Sequence, residues 1–312
     1  MPRLTLGFRP LTDAVLAITL IACGGSWTTS QVVLAQSRSL FVSVTDADGA
    51  TVTDLTAEEM VVRSDGVVCE TLSLEPVGWP VRVTVFVDNN RTLASHAIGD
   101  MREGLRLFLD ALPANVEVGL ATIAERPQFV TPHTSDREAL ATGIGLLAPI
   151  PGAATFLDAL VEEAERLDED EERGYFPVIV MVATSGEEGS NMERRRPFER
   201  MMLHLRDGKA TVHTRLFAPT SFRRQGRVSQ IRWGIDISRA TGGSYESLSV
   251  SSAFRNLLAE LGRDIARKHR LVSTQYRVTY EPPDGASATP AIFVGTTRSG
   301  LDVLSTTDGN LP

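Results

Sequence analysis

The sequence predicts an α/β fold, with a doubly wound, mostly parallel sheet flanked by helices and a small β module formed by strands from both ends of the chain. Two observations support this prediction. Between residues 81 and 268, near-continuous apolar strands alternate with amphipathic helical patterns, which is typical of βαβ units with helices on both faces of a sheet. In the flanking segments, 38–78 and 272–306, the hydrophobic period changes to the alternation of half-buried strands.

The first 35 residues have the features of an export signal. Arg3 and Arg9 precede the apolar run 14–22, which is too short to span a bilayer as a helix and suits the core of a signal peptide. Three outcomes stay open: cleavage after Ala35, cleavage before Cys23 with lipidation of that cysteine, or an uncleaved anchor. In each case we expect an extracytoplasmic protein (periplasmic, secreted or an outer-membrane lipoprotein) that contacts membrane only through this segment.

The segment 38–78 predicts short strands joined by tight turns. Residues 56–59, Thr-Ala-Glu-Glu, form a capping-box pattern for one helical turn, and Ser64-Asp65-Gly66 is a hairpin turn between two Val-Val pairs. The tail after residue 272 alternates at Gln275–Tyr280 but is too short to form a core alone. Because chain ends often lie close together, we expect it to pair with the N-terminal strands.

The central region, 81–268, contains the elements of the main sheet. Four apolar runs predict its strands, at residues 81–87, 116–123, 178–183 and 211–217. Three patterns with apolar residues on one face predict helices, at residues 98–112, 156–167 and 254–265. The acidic run 162–172 lies on and beyond the second of these helices, and we expect it to be a solvated face.

The composition excludes several classes of function. The 312 residues are 42% hydrophobic and 22% charged, which is typical of a globular protein with a core of its own. The formal net charge of −8 disfavours a nucleic acid partner, because phosphates repel an acidic surface. The only two cysteines, Cys23 and Cys69, exclude a disulfide-rich scaffold and a zinc site built from cysteines.

Oxygen-bearing side chains occur in three loops of the predicted sheet. Residues 88–92, Asp-Asn-Asn-Arg-Thr, follow the first strand of the central region, Thr155 precedes a helix, and Thr184-Ser185-Gly186 follow a later strand. In open α/β sheets, ligand sites form in loops at the carboxyl ends of the strands. One carboxylate with neutral hydroxyl and amide oxygens suits a hard divalent cation such as Mg²⁺.

These motifs resemble the metal-ion-dependent adhesion site of the von Willebrand factor A (VWA) domain. That family has Asp-x-Ser-x-Ser after the first strand, a Thr before a central helix and an Asp after a later strand. Asp88, Asn90 and Thr92 match the first motif, with Asn and Thr where Ser is usual. Thr155 matches the second motif, but Ser185 stands at the position of the last Asp, so the site is a degenerate one.

The resemblance covers about residues 81–268 and implies a VWA/Rossmann-like domain, in a segment order that resembles bacterial secreted proteins of the "VWFA-related" type. It implies a binding or adhesion module in which an acidic side chain of a protein partner completes the coordination of Mg²⁺ or Mn²⁺. The implied metal ligands are Asp88, Asn90, Thr92, Thr155 and Ser185. Two alternative interpretations stay open: a degenerate, metal-free version of the same site, and helix capping by Asp88, Thr92 and Thr155. Glu187 and Glu188 are the alternative sources of the missing carboxylate, although we expect solvated loop positions for both.

Two other functions stay open. The first is a metal-independent scaffold or assembly protein, which would use the same surface or the arginine-rich loops near residues 194–196 and 223–227. The second is an extracytoplasmic hydrolase, although no His-Glu-x-x-His, Gly-x-Ser-x-Gly or Walker motif is present. A hydrolase would require a histidine and a nucleophile within hydrogen-bonding distance in a pocket, and we predict that the protein is not an enzyme.

Overall fold

The computed structural model describes residues 37–91, 95–170, 173–191, 195–219, 229–287, 289–307 and 309. The predicted export signal, Thr92 and most of the two arginine-rich loops lie outside these ranges. The described helices are α1 (Ser95–Ala111), α2 (Arg137–Leu146), α3 (Phe156–Glu169), α4 (Arg195–Asp207), α5 (Ser229–Ala240) and α6 (Phe254–Val272). None of them is both long and apolar enough to cross a lipid bilayer.

The strands of the described ranges form three sheets. They are β1 (Arg38–Asp46), β2 (Met60–Ser64), β3 (Val67–Val68), β4 (Glu70–Pro76), β5 (Val81–Val87), β6 (Glu117–Thr122), β7 (Gln128–Thr134), β8 (Phe176–Thr184), β9 (Thr211–Phe217), β10 (Tyr245–Leu248), β11 (Tyr276–Glu281), β12 (Ile292–Thr296) and β13 (Leu301–Thr306).

The largest sheet has the order β10-β9-β8-β5-β6-β7. Its first five strands are parallel, and β7 runs antiparallel to β6 at the edge. Every residue of β8 is buried, as expected for an apolar strand that is covered on both faces. The predicted mostly parallel α/β sheet is therefore confirmed.

Helices cover both faces of this sheet. Side chains of α1, α2 and α6 share one core with Val83, Val85 and Val87 of β5. Side chains of α3, α4 and α5 share the other core with Phe86 of β5. Successive residues of a strand point to opposite faces, so β5 contributes to both cores.

The strands outside the central sheet form the β module. One antiparallel sheet has the order β13-β1-β11-β4 and the other has the order β12-β2-β3. Strands from both ends of the chain are paired in them, since β11 lies between β1 and β4 and β12 pairs with β2. The two sheets share a core that includes Val42, Val62, Val278 and Val294.

Local signals in the β module have the structures that the sequence predicts. Thr56 and Glu59 form a reciprocal capping box around a single helical turn. Asp65 and Gly66, with φ angles of 50° and 86°, form the turn between β2 and β3, because a two-residue hairpin of this kind needs left-handed backbone at both positions.

Candidate functional site

Four loops meet at the carboxyl edge of the central sheet, and we call them together the loop edge: residues 88–91, 123–127, 148–155 and 185–191. Backbone hydrogen bonds join the 148–155 loop to the other three. The N–H of Arg91 donates to the Ile150 carbonyl at 2.8 Å. The N–H of Glu125 donates to the Ala153 carbonyl, and the N–H of Ala154 donates to the Glu187 carbonyl, both at 2.9 Å. The 148–155 loop is therefore the hub of the loop edge.

A cluster of three buried side chains lies beneath these loops, and we call it the Asp88 cluster: Asp88, Asn90 and Thr184. The side-chain amide nitrogen of Asn90 lies 2.9 Å from Asp88 Oδ1 and 3.0 Å from Asp88 Oδ2. The backbone N–H of Asn90 donates to Asp88 Oδ1 at 3.1 Å, and the Thr184 hydroxyl donates to Asp88 Oδ2. Thr184 Oγ1 in turn accepts the N–H of Gly186 at 3.2 Å.

The Asp88 carboxyl is fully buried, and burial raises its pKa above the usual value for an aspartate. The groups that oppose this shift are the hydrogen bonds from Thr184 and Asn90, and both of these side chains are neutral. Burial of a carboxylate is costly unless hydrogen bonds or an opposite charge compensate it. In this cluster, the compensation comes from neutral donors.

The other residues of the predicted metal site have different partners. The Thr155 hydroxyl donates to the Ile123 carbonyl at 2.8 Å, so the residue lies at the same edge but outside the Asp88 cluster. It does not cap α3 through its side chain; instead, Ser190 Oγ accepts the backbone N–H groups of Leu157 and Asp158 at 3.0 and 3.1 Å. Ser185 is half-buried, and its backbone N–H donates to the Phe217 carbonyl at 2.8 Å.

As arranged here, the Asp88 cluster does not fit a bound Mg²⁺ or Mn²⁺. Such ions need oxygen lone pairs, but both Asp88 oxygens face hydrogen-bond donors, and the amide nitrogen beside them offers hydrogens only. The chemistry determines which end of the Asn90 amide faces Asp88, because an amide oxygen there would repel two carboxylate oxygens. In the described part of the chain, no group of three or more His, Cys, Asp or Glu side chains is placed to hold a metal.

The metal site with Asp88, Asn90, Thr92, Thr155 and Ser185 as ligands stays a prediction, with Thr92 outside the described residues. The structure brings Asp88 and Asn90 into direct contact and adds Thr184, which the sequence analysis did not include among the ligands. The signal that could have identified Thr184 is its place as the last residue of a buried strand, next to the Asp88 strand in the sheet.

Glu188 is a second residue that sequence reasoning misplaced. It was expected to be solvated, but it is half-buried, its Oε2 atom is shielded from solvent, and burial raises the pKa of its carboxyl group. Its Oε1 accepts the N–H of Ser190 at 3.2 Å. Glu188 therefore holds the turn that places Ser190 over the first turn of α3.

Comparisons with known proteins give likenesses to solved structures only. No protein-family model and no curated protein matches the sequence. A conserved hypothetical protein BatB from Bacteroides thetaiotaomicron is 15% identical, over 60% of this chain and 99% of that chain, with a TM-score of 0.46. A von Willebrand factor type A protein from Catenulispora acidiphila is 10% identical, over 87% of this chain and 72% of that chain, with a TM-score of 0.47.

An aerotolerance-related membrane protein from Bacteroides fragilis is 15% identical, over 59% of this chain and 99% of that chain, with a TM-score of 0.43. These structures are similar to the present chain in fold alone. The mostly parallel α/β sheet itself is established by the strand order and directions described above. Likeness at this level says nothing about what the chain binds.

Two histidines lie within hydrogen-bonding distance of a hydroxyl group. His133 Nε2 is 2.8 Å from Thr84 Oγ1, and His213 Nδ1 is 2.9 Å from Ser244 Oγ. Burial lowers the pKa of both imidazoles to about 3, so they are weak bases at neutral pH, where a general base needs a pKa near the working pH.

The His213–Ser244 pair belongs to a hydrogen-bonded turn. His213 Nδ1 accepts the backbone N–H of Ser244 at 3.1 Å, and the Arg215 guanidinium donates to Ser244 Oγ at 3.1 Å, so both partners are used to hold a turn. Two cavities on the described part of the chain, of about 190 and 430 Å³, are lined by residues other than these.

A second buried carboxylate lies under α3, and we call its surroundings the Glu163 network: Thr84, His133, Glu163 and Arg166. The Thr84 hydroxyl donates to Glu163 Oε1 at 2.6 Å, so His133 Nε2 carries the hydrogen that faces Thr84. Arg166 forms an ion pair with the other Glu163 oxygen. The expectation that the whole acidic run is solvated was wrong for Glu163, which is only 3% exposed.

Proposed function

We propose that this chain is an extracytoplasmic binding module that engages a protein partner through its loop edge. The observation that carries the proposal is the backbone pairing of all four loops through the 148–155 hub. Loops that are already ordered lose little conformational freedom when a partner binds, which favours affinity. The resemblance of the 88–92 and Thr155 motifs to those of the VWA domain supports the choice of this edge.

The chemistry of the loop edge favours a protein surface that carries charges of both signs. Arg91 and Arg126 are exposed there, together with Glu125 and Glu187. Exposed charges around an interface steer association and select partners more than they add affinity. A nucleic acid is a poor partner for this chain, because its formal net charge of −8 repels phosphates.

The cation-dependent form of this function is the second candidate. In it, Mg²⁺ or Mn²⁺ at the predicted ligands would receive an acidic side chain of the partner, and the motif resemblance is its support. The arrangement of the Asp88 cluster favours the metal-independent form, because neutral donors occupy the carboxylate oxygens. We propose no catalytic step for either form.

The extracytoplasmic part of the proposal rests on the export features of residues 1–35. Fractionation of cells that express the full chain tests it. We expect the protein in the periplasm, the outer membrane or the medium, and a full-length cytoplasmic protein would contradict the proposal. Mass spectrometry of the mature N-terminus distinguishes cleavage after Ala35 from lipidation at Cys23.

A site-specific photo-crosslinker tests the binding surface. It replaces Arg126 in the loop edge or, as the matched control, Arg267, an exposed arginine of α6. We expect a protein partner to crosslink from position 126 and not from position 267. With that partner purified, Arg126→Glu should weaken binding by about tenfold or more, which is about 1.4 kcal/mol, whereas Arg267→Glu should leave the dissociation constant unchanged.

Three results decide between the proposals. Crosslinks from both positions, or from neither, would contradict the loop edge as the binding surface. Binding that is unchanged in excess chelator would support the metal-independent form. Binding that is lost in chelator and restored by Mg²⁺ would support the cation-dependent form.

A further inference from the structure

The side-chain amide of Asn90 lies against both oxygens of the Asp88 carboxylate, where a cation would otherwise approach. We propose that the Asp88 cluster is self-liganded: the Asn90 amide replaces a divalent cation and holds the loop edge without metal. This inference deepens the proposed function, because it says that recognition does not pass through a bond between a metal and an acidic side chain of the partner.

First, the hydrogen-bond donors and acceptors of the Asp88 cluster balance. Asp88 Oδ1 accepts the backbone N–H and the side-chain amide of Asn90, and Asp88 Oδ2 accepts the same amide and the Thr184 hydroxyl. Thr184 Oγ1 also accepts the Gly186 N–H. Each polar atom of the Asp88 carboxylate and of Thr184 thus has a complementary partner within the protein, which is the usual condition for buried polar groups.

Second, a cation would have to displace hydrogen bonds of the Asp88 cluster. Entry of a divalent ion at the Asp88 oxygens would break the hydrogen bonds from the Asn90 amide and leave its hydrogens facing a positive charge. The ion would gain only one carboxylate, since Ser185 stands where the resemblance places a second one. Cation affinity of oxygen sites depends on the number of charged ligands, so this exchange is unfavourable.

Third, the Asp88 cluster is connected to the binding surface. Asp88 follows β5 and Thr184 ends β8, so their hydrogen bond ties together the ends of two neighbouring strands. Asn90 also forms a β-bridge with Ile150 in the 148–155 hub. Asn90 thus contacts the Asp88 carboxylate through its side-chain amide and the hub through its backbone bridge, so this one residue links the two as a bound cation would.

The test is to remove the amide and supply the missing carboxylate. The double variant Asn90→Ser/Ser185→Asp frees the Asp88 oxygens and adds a second acidic group. The matched control, Asn89→Ser/Ser185→Asp, makes the same change in composition but keeps the Asn90 amide, because Asn89 donates instead to the Ala148 carbonyl at 2.8 Å. Circular dichroism confirms that each variant is folded before titration with Mn²⁺ and Mg²⁺.

Isothermal titration calorimetry gives the readout. We expect no saturable heat for the wild-type protein or the control, and saturable one-site binding for Asn90→Ser/Ser185→Asp with a dissociation constant of about 1 mM or tighter, within the range of weak protein sites for divalent ions. Mn²⁺ electron paramagnetic resonance provides an independent measure of bound ion.

Three results would overturn the inference. One is one-site binding by the wild-type protein that is lost in Asp88→Asn. The second is equal binding by the double variant and its control, and the third is an absence of binding in both, since either would show that the amide is not what excludes the ion. If the double variant does not fold, the single variant Asn90→Ser is titrated beside the wild-type protein. Binding that is gained only in this variant, and is weak because Ser185 supplies no carboxylate, supports the inference, and equal titrations of the two proteins contradict it. Failure of this inference leaves the crosslinking result untouched, so the two proposals are tested separately.

Discussion

The two buried carboxylates of the described chain are stabilised in different ways. Asp88 accepts hydrogen bonds from an amide, a backbone N–H and a hydroxyl, whereas Glu163 is paired with the guanidinium of Arg166 and accepts a hydroxyl from Thr84. Burial raises the pKa of both carboxyl groups. Only the Glu163 network contains positive charge and a histidine.

This difference indicates how much stability is lost when each carboxylate is substituted. Arg166 is about half-exposed and belongs to the same helix turn as Glu163, so its guanidinium can turn to solvent if the carboxylate is lost. The donors around Asp88 are buried with it and have no such alternative. Donors that lose a partner in the interior cost more than those that reach water. We therefore expect the Asp88 cluster to be the more sensitive of the two to substitution and the Glu163 network to be the more sensitive to pH.

Lowering the pH should produce the largest difference in stability between the Glu163 network and the Asp88 cluster. Burial lowers the pKa of His133, beside Glu163, to about 3, whereas the unfolded chain titrates near its ordinary value of about 6.5. The unfolded state then binds more protons between these values, so the stabilisation from the neutral imidazole is complete above pH 6.5 and is lost as the pH falls. The free energy of unfolding should decrease by about 1.4 kcal/mol per pH unit for this histidine, and by a similar amount for His213, whose pKa is shifted alike.

The control for this prediction is His133→Gln, measured by urea denaturation at several pH values between 4 and 7. The free energy of unfolding of this variant should change with pH about half as steeply as that of the wild-type protein, because one of the two strongly shifted imidazoles is gone. Burial raises the pKa values of Asp88 and Glu163, which has the opposite effect on the free energy of unfolding. The stabilisation from these two carboxyl groups is lost as the pH rises through their folded-state pKa values, so they reduce the pH slope at the acid end. An unchanged slope in His133→Gln would contradict the account.

The pair of isosteric substitutions Asp88→Asn and Glu163→Gln tests the comparison directly. In Asp88→Asn, the new amide nitrogen must face the Asn90 amide, which is a donor, or Thr184 Oγ1, which already accepts from the Gly186 N–H and the Asn90 amide. We therefore expect a loss of about 3 kcal/mol. In Glu163→Gln, the amide oxygen still accepts from Thr84 and Arg166 turns to water, so the loss should be about 1 kcal/mol. Equal losses in denaturant titrations would show that the two carboxylates are held alike.

Gly119→Ala should disrupt the Glu163 network from a neighbouring strand. A Cβ atom at Gly119 would lie 2.8 Å from His133 Nε2 and 2.9 Å from a carbon of the Phe129 ring, so the imidazole must leave Thr84. We expect a loss of about 2 kcal/mol in the free energy of unfolding and a smaller pH slope. Gly145→Ala in α2 is the control, because nothing lies within 4 Å of its added atom and it should be neutral or stabilising.

The smallest expected difference lies between two threonines at the carboxyl edge of the central sheet, Thr184 and Thr155. Thr184→Val removes a donor to the Asp88 carboxylate and an acceptor of the Gly186 N–H, and should cost about 2 kcal/mol. Thr155→Val removes only a second donor to the Ile123 carbonyl, which keeps the Thr155 backbone N–H, and should cost about 1 kcal/mol or less. Thermal unfolding measures both, and a larger loss for Thr155→Val would contradict the assignment of Thr184 to the cluster.

The central sheet was predictable from the sequence because its strands are buried on both faces. Four of the predicted strands correspond to β5, β6, β8 and β9, and three of the predicted helices correspond to α1, α3 and α6. The antiparallel strand β7 and the following α2 were not predicted. β7 is a partly exposed edge strand that contains Pro132, so it lacks both the continuous apolar run and a regular alternation.

The polar clusters were less predictable, because they depend on which neighbouring side chain faces the interior. Glu163 lies three residues after Leu160 and four before Leu167, on the apolar stripe of α3, and this spacing was the available signal against a solvated position. Thr184 and Ser185 are adjacent hydroxyl residues, and spacing alone does not say which of them contacts Asp88. That choice depends on where β8 ends, at Thr184, which sequence patterns locate only to within a few residues.

Thermal unfolding of the wild-type protein in chelator and in Mg²⁺ shows whether the loop edge is held together without a metal. A ligand that binds only the folded state raises the unfolding temperature, and at 100 times its dissociation constant it contributes about 2.7 kcal/mol, which corresponds to a few degrees for a chain of this size. Because the Asn90 amide takes the place of a cation, we expect the same unfolding temperature in about 1 mM EDTA and in about 5 mM Mg²⁺. A rise that saturates with Mg²⁺ and disappears in Asp88→Asn would contradict this expectation.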